Sequence, residues 1–556
     1  MGLSPFKHTN NNNNPASDIH TSSSDSVKIP AYAWKTLAIL SCIATMVMYA
    51  ETMLIPAIPD LIKDFHVSYS MSSWILTAYL VAGAVMTPIA GKLSDIYGRK
   101  KILLIIMAVY AVGVSLSGFA ANIYLLLIAR AIQGIGMSMF AIAFSIVRDQ
   151  FPREKISIGQ GVITSMFASG AVIGLAVGGI IVQNYGWRTT FFTIIPIAIA
   201  LLIIIRRYIN VNQGEQEHQQ QEQQEKQWQE QQEEQIQSQI VRNNNTSKIK
   251  ENNSRKKSAN QIDIKGAIAL AVTVTSFLLV LTFVETSGRI VDSTYVNSSY
   301  GNSNSSSSSQ ILLPFLIIGI VSFMLFVVIE RRAKYPLVDF RLMLNKSILP
   351  ANLIIMLVGM SMFMVFQTVP ILVRNPQPIG FGEDAISTGK VQLPFAIILL
   401  IFGPTSGFIV SRLGSLKPII FGAFITSAGF IGLLMLHSTE LLVSTNLAIL
   451  STGLSLTSVG AMNVIILATP RQFTGISLGM SSLMRIIGAA IGPALAGMYM
   501  QTHQLLLNVH GITEYFPSSV SFNLIFLTAV AISIVSIGLG IILRQKVIKM
   551  AIPNLS

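Results

Sequence analysis

Runs of about twenty apolar residues recur along this chain, the length at which a helix crosses the hydrocarbon core of a bilayer. Fourteen can be counted, which commits most of the sequence to membrane-spanning helices. The second and third flank Gly91-Lys92-Leu93-Ser94-Asp95-Ile96-Tyr97-Gly98-Arg99-Lys100-Lys101, a short turn with five charges, four of them positive. Positive turns stay on the cytoplasmic side. Fixing this one fixes the rest, and with an even number of spans both termini are expected in the cytoplasm. On that topology 31 of the 38 Lys and Arg residues are cytoplasmic, five (Lys63, Arg188, Arg289, Arg374, Lys390) lie outside, and Arg130 and Arg485 lie within the membrane.

Composition agrees. The chain of 556 residues is 51% hydrophobic and 11% charged, against about a quarter charged in soluble proteins. Its net charge of +13 sits between apolar runs rather than on an aromatic-interleaved strip, so no nucleic-acid partner is expected. Cys42 stands alone, which excludes disulfides and cysteine-based metal sites, and no cofactor is expected. The Asn- and Ser-rich N-terminus has no apolar core of the signal-peptide kind. Phe6 stands where a myristoylation motif needs Ser or Thr. Trp34, Trp74 and Trp187 fall at span ends, where amphipathic rings favour the headgroup layer.

An internal repeat sets the architecture. Gly161, Gly170, Gly174, Gly178 and Gly179 reappear 318 residues later as Gly479, Gly488, Gly492, Ala496 and Gly497, and Pro88, Gly91 and Gly98 reappear 316 later as Pro404, Gly407 and Gly414. Both matches are displaced by eight spans, so the copies share one orientation. The predicted fold class is an all-α polytopic membrane protein of two parallel six-helix bundles and an inserted pair. Its boundaries are an N-terminal tail (1–36), a first bundle (37–206), a polar cytoplasmic linker (207–262), the pair with its Ser/Asn-rich outer loop (263–332), a second bundle (333–549) and a tail (550–556). Gly170, Gly174 and Gly178 line one helix face and let a neighbouring backbone approach, as tight packing or as a seam between moving parts.

These residues resemble the major facilitator superfamily, and more narrowly its fourteen-helix drug:proton antiporter group. Gly91 to Lys101 resembles the signature between helices two and three. Arg130-Ala131-Ile132-Gln133-Gly134-Ile135-Gly136 is similar to the helix-four signature. The fifth-span glycines are similar to the antiporter motif, with Leu175 in place of the family's proline and Pro493 supplying it in the second copy. Tyr49 to Pro59 is similar to the helix-one motif, with Thr52 and Pro59 matched, Ala50 at the family's Asp position and Glu51 next to it. The resemblance implies alternating access to a central cavity, with Gly91, Asp95, Gly98, Arg99 and Lys100 as the gating signature. It implies a monomer in the plasma membrane with lipid, small-molecule substrate and protons as partners.

Charges at bilayer depth are functional candidates by default. Glu51 is the sole carboxylate well inside a span, and Arg130 lies at similar depth, so proton uptake by Glu51 and a static Glu51–Arg130 pair are both open readings. A cationic substrate would compete for that carboxylate. Tyr79, Gln133, Gln367, Asn463 and Arg485 are candidate cavity residues. Gly475-Ile476-Ser477-Leu478-Gly479 matches a hydrolase elbow but lies in an apolar helix without the strand that elbow needs. No phosphate-binding loop is present. The function expected is proton-coupled efflux of amphipathic small molecules, with a proton symporter or a lipid-like substrate exporter as the alternative, and no enzymatic activity.

Overall fold

A computed structural model of the chain describes residues 29–152, 156–209, 264–283, 306–333, 340–469, 474–509 and 512–551. The linker, the outer loop between the inserted helices and both terminal tails lie largely outside those residues. The first half comprises α1 (Ala31–Thr52), a 3₁₀ turn (Ile55–Ala57), α2 (Ile58–Phe65), α3 (Tyr69–Tyr97), α4 (Arg99–Gly118), α5 (Ile123–Gly134), α6 (Met139–Gln150), α7 (Ile156–Tyr185) and α8 (Trp187–Tyr208). Two helices, α9 (Ile264–Phe283) and α10 (Ser306–Arg332), and the short α11 (Phe340–Met343) lead into the second half. That half is α12 (Ile348–Arg374), α13 (Ala385–Leu413), α14 (Leu416–Met435), α15 (Glu440–Ala468), α16 (Thr474–Thr502) and α17 (Ser519–Ala551). Among the described residues thirteen helical stretches are long and apolar enough to cross a membrane, and α9 contributes a shorter apolar helix, Ile268–Val280.

Among the described residues the one sheet is an antiparallel hairpin, β1 (Gln504–Val509) and β2 (Ile512–Pro517), between α16 and α17. Ile512, Thr513, Tyr515 and Phe516 are strand formers in a segment too short to span. The hairpin marks one end of the molecule; the opposite, basic end carries Gly91 to Lys101. The expected eleven-residue turn there is in fact one residue. Helix α3 runs on to Tyr97 and α4 starts at Arg99, with Gly98 between them at φ 92°. Gly414 holds the matching place between α13 and α14 at φ 75°, a backbone region that residues with a Cβ avoid.

The second span of each half begins with a matched cap. Ser68 Oγ accepts from Met71 N at 3.1 Å and Asp384 Oδ1 accepts from Ser387 N at 2.8 Å, 316 residues apart. The repeat extends to packing. Cβ atoms at Gly170 and Gly174 would meet the carbonyl oxygens of Thr45 and Tyr49 at 2.4 and 2.9 Å; at Gly488 and Gly492 they would meet those of Met356 and Met360 at 1.9 and 2.3 Å. The glycines differ by 318 and their partners by 311. Gly178 lies as close to Met53. These glycines therefore clamp α7 onto α1 and α16 onto α12 within each half.

Gly179 and Gly497 do something else. A Cβ at Gly179 would stand 2.7 Å from the Ala385 oxygen of α13, and one at Gly497 would stand 3.0 Å from the Tyr69 oxygen of α3. Both contacts join the halves, which meet along α7 with α13 and α3 with α16. Helix α9 packs against α3 and α16 beside that junction. On the exposed side of α10, Ile317, Val321 and Met324 face outward as a lipid-facing surface would.

Candidate functional site

Helix α1 is broken where the chain needs a charge. Pro56 and Pro59 have no N–H to give to Thr52 and Ile55, so the helix stops at Thr52 and restarts at Ile58 after a 3₁₀ turn. Glu51 lies in the last turn before this break. It is 1% exposed, and neither carboxylate oxygen has a hydrogen-bond partner. Broken helices at midplane depth are where transporters place their ion sites. The fourth span is interrupted in the same way by a 3₁₀ turn at Ile135–Ser138.

Arg130 lies one to two turns before that second interruption, fully buried. Its Nε donates to the Ile75 carbonyl at 3.1 Å, its Nη1 donates to Gln133 Oε1 at 3.0 Å, and its guanidinium carbon lies 4.6 Å from the centre of the Tyr79 ring. The geometry removes the static-pair reading. No Glu51–Arg130 ion pair within 4 Å is present among the described residues, and Arg130 is held by its own bundle. The pair is still an electrostatic neighbourhood, and Arg485 of α16 belongs to it. Arg485 meets no hydrogen-bond or ion-pair partner among the described residues, and its electrostatic neighbour is Glu51. One carboxylate thus has an arginine of each half as an electrostatic neighbour.

Tight approach explains the signature around Arg130. A Cβ at Gly134 would lie 2.1 Å from the Tyr79 oxygen, and one at Gly136 would lie 2.3 Å from the Tyr110 ring. Replacing Gly134 by Ala therefore pushes on backbone rather than on a movable side chain, at an expected cost of about 1–3 kcal/mol. The apparent Tm of purified Gly134→Ala protein should fall, while Gly161→Ala, whose Cβ meets nothing within 4 Å, should leave Tm unchanged.

Other expected site residues are placed differently. Gln367 of α12 donates to Ser72 Oγ of α3 at 3.1 Å, a bridge between halves, while its Oε1 is unpartnered. Asn463 donates from Nδ2 to Ser415 Oγ at 2.7 Å and ties α15 to the start of α14. Gly161 has no neighbour to pack against. Pro493 lies inside α16 beside the α12 seam. Trp187 is buried and donates to Asp64 Oδ2 at 2.8 Å instead of facing headgroups. Among the gating residues, Arg99 forms an ion pair with Asp149 and donates to the Ser145 carbonyl at 2.8 Å, joining α4 to the end of α6. Lys100 is half-buried. Asp95 lies in α3, and its side chain falls outside the described residues.

Two residues were missed. Gln183 Oε1 accepts from Ala385 N at 3.2 Å, and Gln501 Oε1 accepts from Tyr69 N at 2.9 Å. Each glutamine lies one turn beyond Gly179 or Gly497 and closes the hairpin end by capping the first residue of an opposing helix. Continuing the 318-residue repeat by four positions finds both. Asp60 of α2 and Arg374 of α12 add an ion pair at 2.5 Å across the same end. At the basic end, by contrast, Cβ atoms at Gly91, Gly161, Gly403, Gly407 and Gly479 would meet nothing within 4 Å. Helices α7 with α13 and α3 with α16 thus touch closely at the hairpin end, while these glycines on the same helices face open space toward the basic end.

The family model of the Major Facilitator Superfamily matches residues 40–493. The chain belongs to that superfamily. It is a membrane transporter and not an enzyme. Among its relatives, the Multidrug transporter protein MdtP of Bacillus subtilis is 26% identical, over 87% of this chain and 79% of the relative. The Tetracenomycin C resistance and export protein of Streptomyces glaucescens is 23% identical, over 88% and 80%. The fold is that of solved superfamily members. The human organic anion transporter MFSD10 superposes with a TM-score of 0.54 at 13% identity, covering 92% of this chain and all of that one. A bacterial homolog of the human lysosomal transporter Spinster, in an inward-facing and occupied conformation, superposes with a TM-score of 0.56 at 12% identity, covering 93% and 97%.

Proposed function

We propose that this superfamily member exports amphipathic small molecules across the plasma membrane in exchange for protons, as a monomer with both termini in the cytoplasm. The observation that carries the reading is Glu51: a buried carboxylate without a hydrogen bond, at a break in the first span, with an arginine of each half as an electrostatic neighbour. A carboxylate left so exposed to its surroundings gains or loses a proton as those surroundings change, and here they change when the halves rock. The charge distribution supports placing the basic end in the cytoplasm. The open space beside Gly91, Gly161, Gly403, Gly407 and Gly479 at that end is what an inward-facing state would present. Multidrug and antibiotic export among the relatives supports amphipathic substrates.

Arg485 favours one further reading. With Glu51 ionised the central cluster carries one net positive charge, and protonation of Glu51 adds a second. An anionic substrate would then bind together with the proton, and the two would move in the same direction. Dicationic substrates are disfavoured on either reading.

Reconstituted vesicles decide between them. With an acidic lumen, exchange predicts uphill accumulation of a lipophilic dye inside, coupled to proton exit. Co-transport predicts accumulation only when the gradient is reversed. Gradient-independent dye movement in both directions would overturn the coupling.

A further inference from the structure

The second half holds an uncharged polar group that the coupling chemistry does not use. Gln392 of α13 is 1% exposed, and neither its Oε1 nor its Nε2 has a hydrogen-bond partner. An amide buried with both ends unpaired costs several times what one ordinary hydrogen bond contributes. Such groups persist where something outside the chain completes them.

The location is specific. On α13, Gly389 faces the Leu175 carbonyl of α7. Phe395 meets the Phe366 ring of α12 edge-on, with ring centres 5.5 Å apart. Gln392 lies between these two directions on the helix, at about 60° from each, and so faces the region between the halves. Beside Phe366, Gln367 offers a second unpartnered amide oxygen. Among the described residues, the helices of the second half carry a single carboxylate, Glu440, in the first turn of α15, with Glu383, Lys390 and Asp384 at the start of α13 as its electrostatic neighbours. Beside Gln392 this half therefore offers amides and aromatic edges with which to hold a ligand, its carboxylates Glu383, Asp384 and Glu440 lying at the helix starts.

We propose that Gln392, with Gln367 and the Phe366–Phe395 pair, is a substrate subsite for an uncharged hydrogen-bonding group, such as an amide or carbonyl, attached to an aromatic ring. This rests on the transport reading above and narrows its substrate class. The subsite selects by hydrogen bonding and stacking, while Glu51 of the other half handles the proton. Substrates that present such a group are held by both halves at once.

The test uses two probes and the full-length chain in vesicles and in detergent. Chloramphenicol is uncharged and carries an amide beside an aromatic ring; tetraphenylphosphonium is aromatic without any hydrogen-bonding group. Gln392→Leu is expected to weaken chloramphenicol binding and transport about tenfold, to leave tetraphenylphosphonium unchanged, and to raise the apparent Tm because an unpaired amide is gone. Gln392→Asn should retain part of the chloramphenicol binding. A lowered Tm in Gln392→Leu would make the amide a structural group and overturn the subsite. Equal effects on both probes, or a raised Tm with chloramphenicol binding intact, would do the same. Wild-type protein that moves tetraphenylphosphonium but not chloramphenicol would overturn the subsite and leave the transport function standing; movement of neither would remove the transport function itself.

Discussion

Glu51→Gln protein is expected to fold, to carry substrate down its own gradient, and to lose proton-driven accumulation altogether. The substitution keeps the shape of the side chain and removes only its ability to change charge. Because neither oxygen of Glu51 accepts a hydrogen bond, no partner inside the protein is orphaned by the change. What is lost is the term that links substrate movement to proton movement, since a permanently neutral residue gives the two rocking states no difference in proton binding. Arg485→Gln should behave differently: coupling persists, and what changes is which substrate charges are accepted. Uphill transport by Glu51→Gln at the wild-type rate would remove Glu51 from the mechanism, whichever direction substrate flows.

The superfamily architecture was legible because membrane helices advertise themselves by length and because glycines in tight seams cannot be replaced freely. The 318-residue repeat marked Gly170, Gly174, Gly488 and Gly492, and these positions are where helices approach most closely. Their partners were not legible. Gly174 meets Thr52 Oγ1 before the Tyr49 oxygen, but the atoms opposite Gly170, Gly488 and Gly492 are backbone oxygens of Thr45, Met356 and Met360, which any residue supplies, so these contacts impose no side-chain pattern. The same reasoning covers Gly134 against Tyr79. The break at Glu51 was written in Pro56 and Pro59, yet an apolar run reads as continuous through them. The approach of Arg485 to Glu51 depends on how two separately folded halves dock, which no local pattern encodes. The Asn463–Ser415 bond was not legible either, because an amide in an apolar helix serves a neighbouring turn as readily as a cavity.

Joining Asp60→Cys to Arg374→Cys with a short reducible linker, in a Cys42→Ser background, is expected to abolish transport, with recovery on reduction. These two residues sit on opposite halves and form an ion pair across the hairpin end. The same end is closed by two equivalent clamps, Gln183 with Gly179 on Ala385, and Gln501 with Gly497 on Tyr69. Alternating access requires all of these contacts to part once per cycle, so a covalent tie must stop it. Removing the clamps should act in the opposite sense. Gln183→Ala with Gln501→Ala deletes two hydrogen bonds of about 1 kcal/mol each, a shift of about 30-fold toward a state open at the hairpin end. That state should close the basic end by the same geometry, run from the other side. Counting eighteen residues along each helix from the Gly179–Ala385 contact, about 27 Å, leads to Gly161 on α7 and Gly403 on α13, both of which face open space here. Cysteines at Gly161 and Gly403 should therefore cross-link poorly in the wild-type background and readily in the clamp-deleted one. Full transport by the Asp60–Arg374 tethered protein, or equal Gly161–Gly403 cross-linking in both backgrounds, would mean that the two ends do not open in alternation.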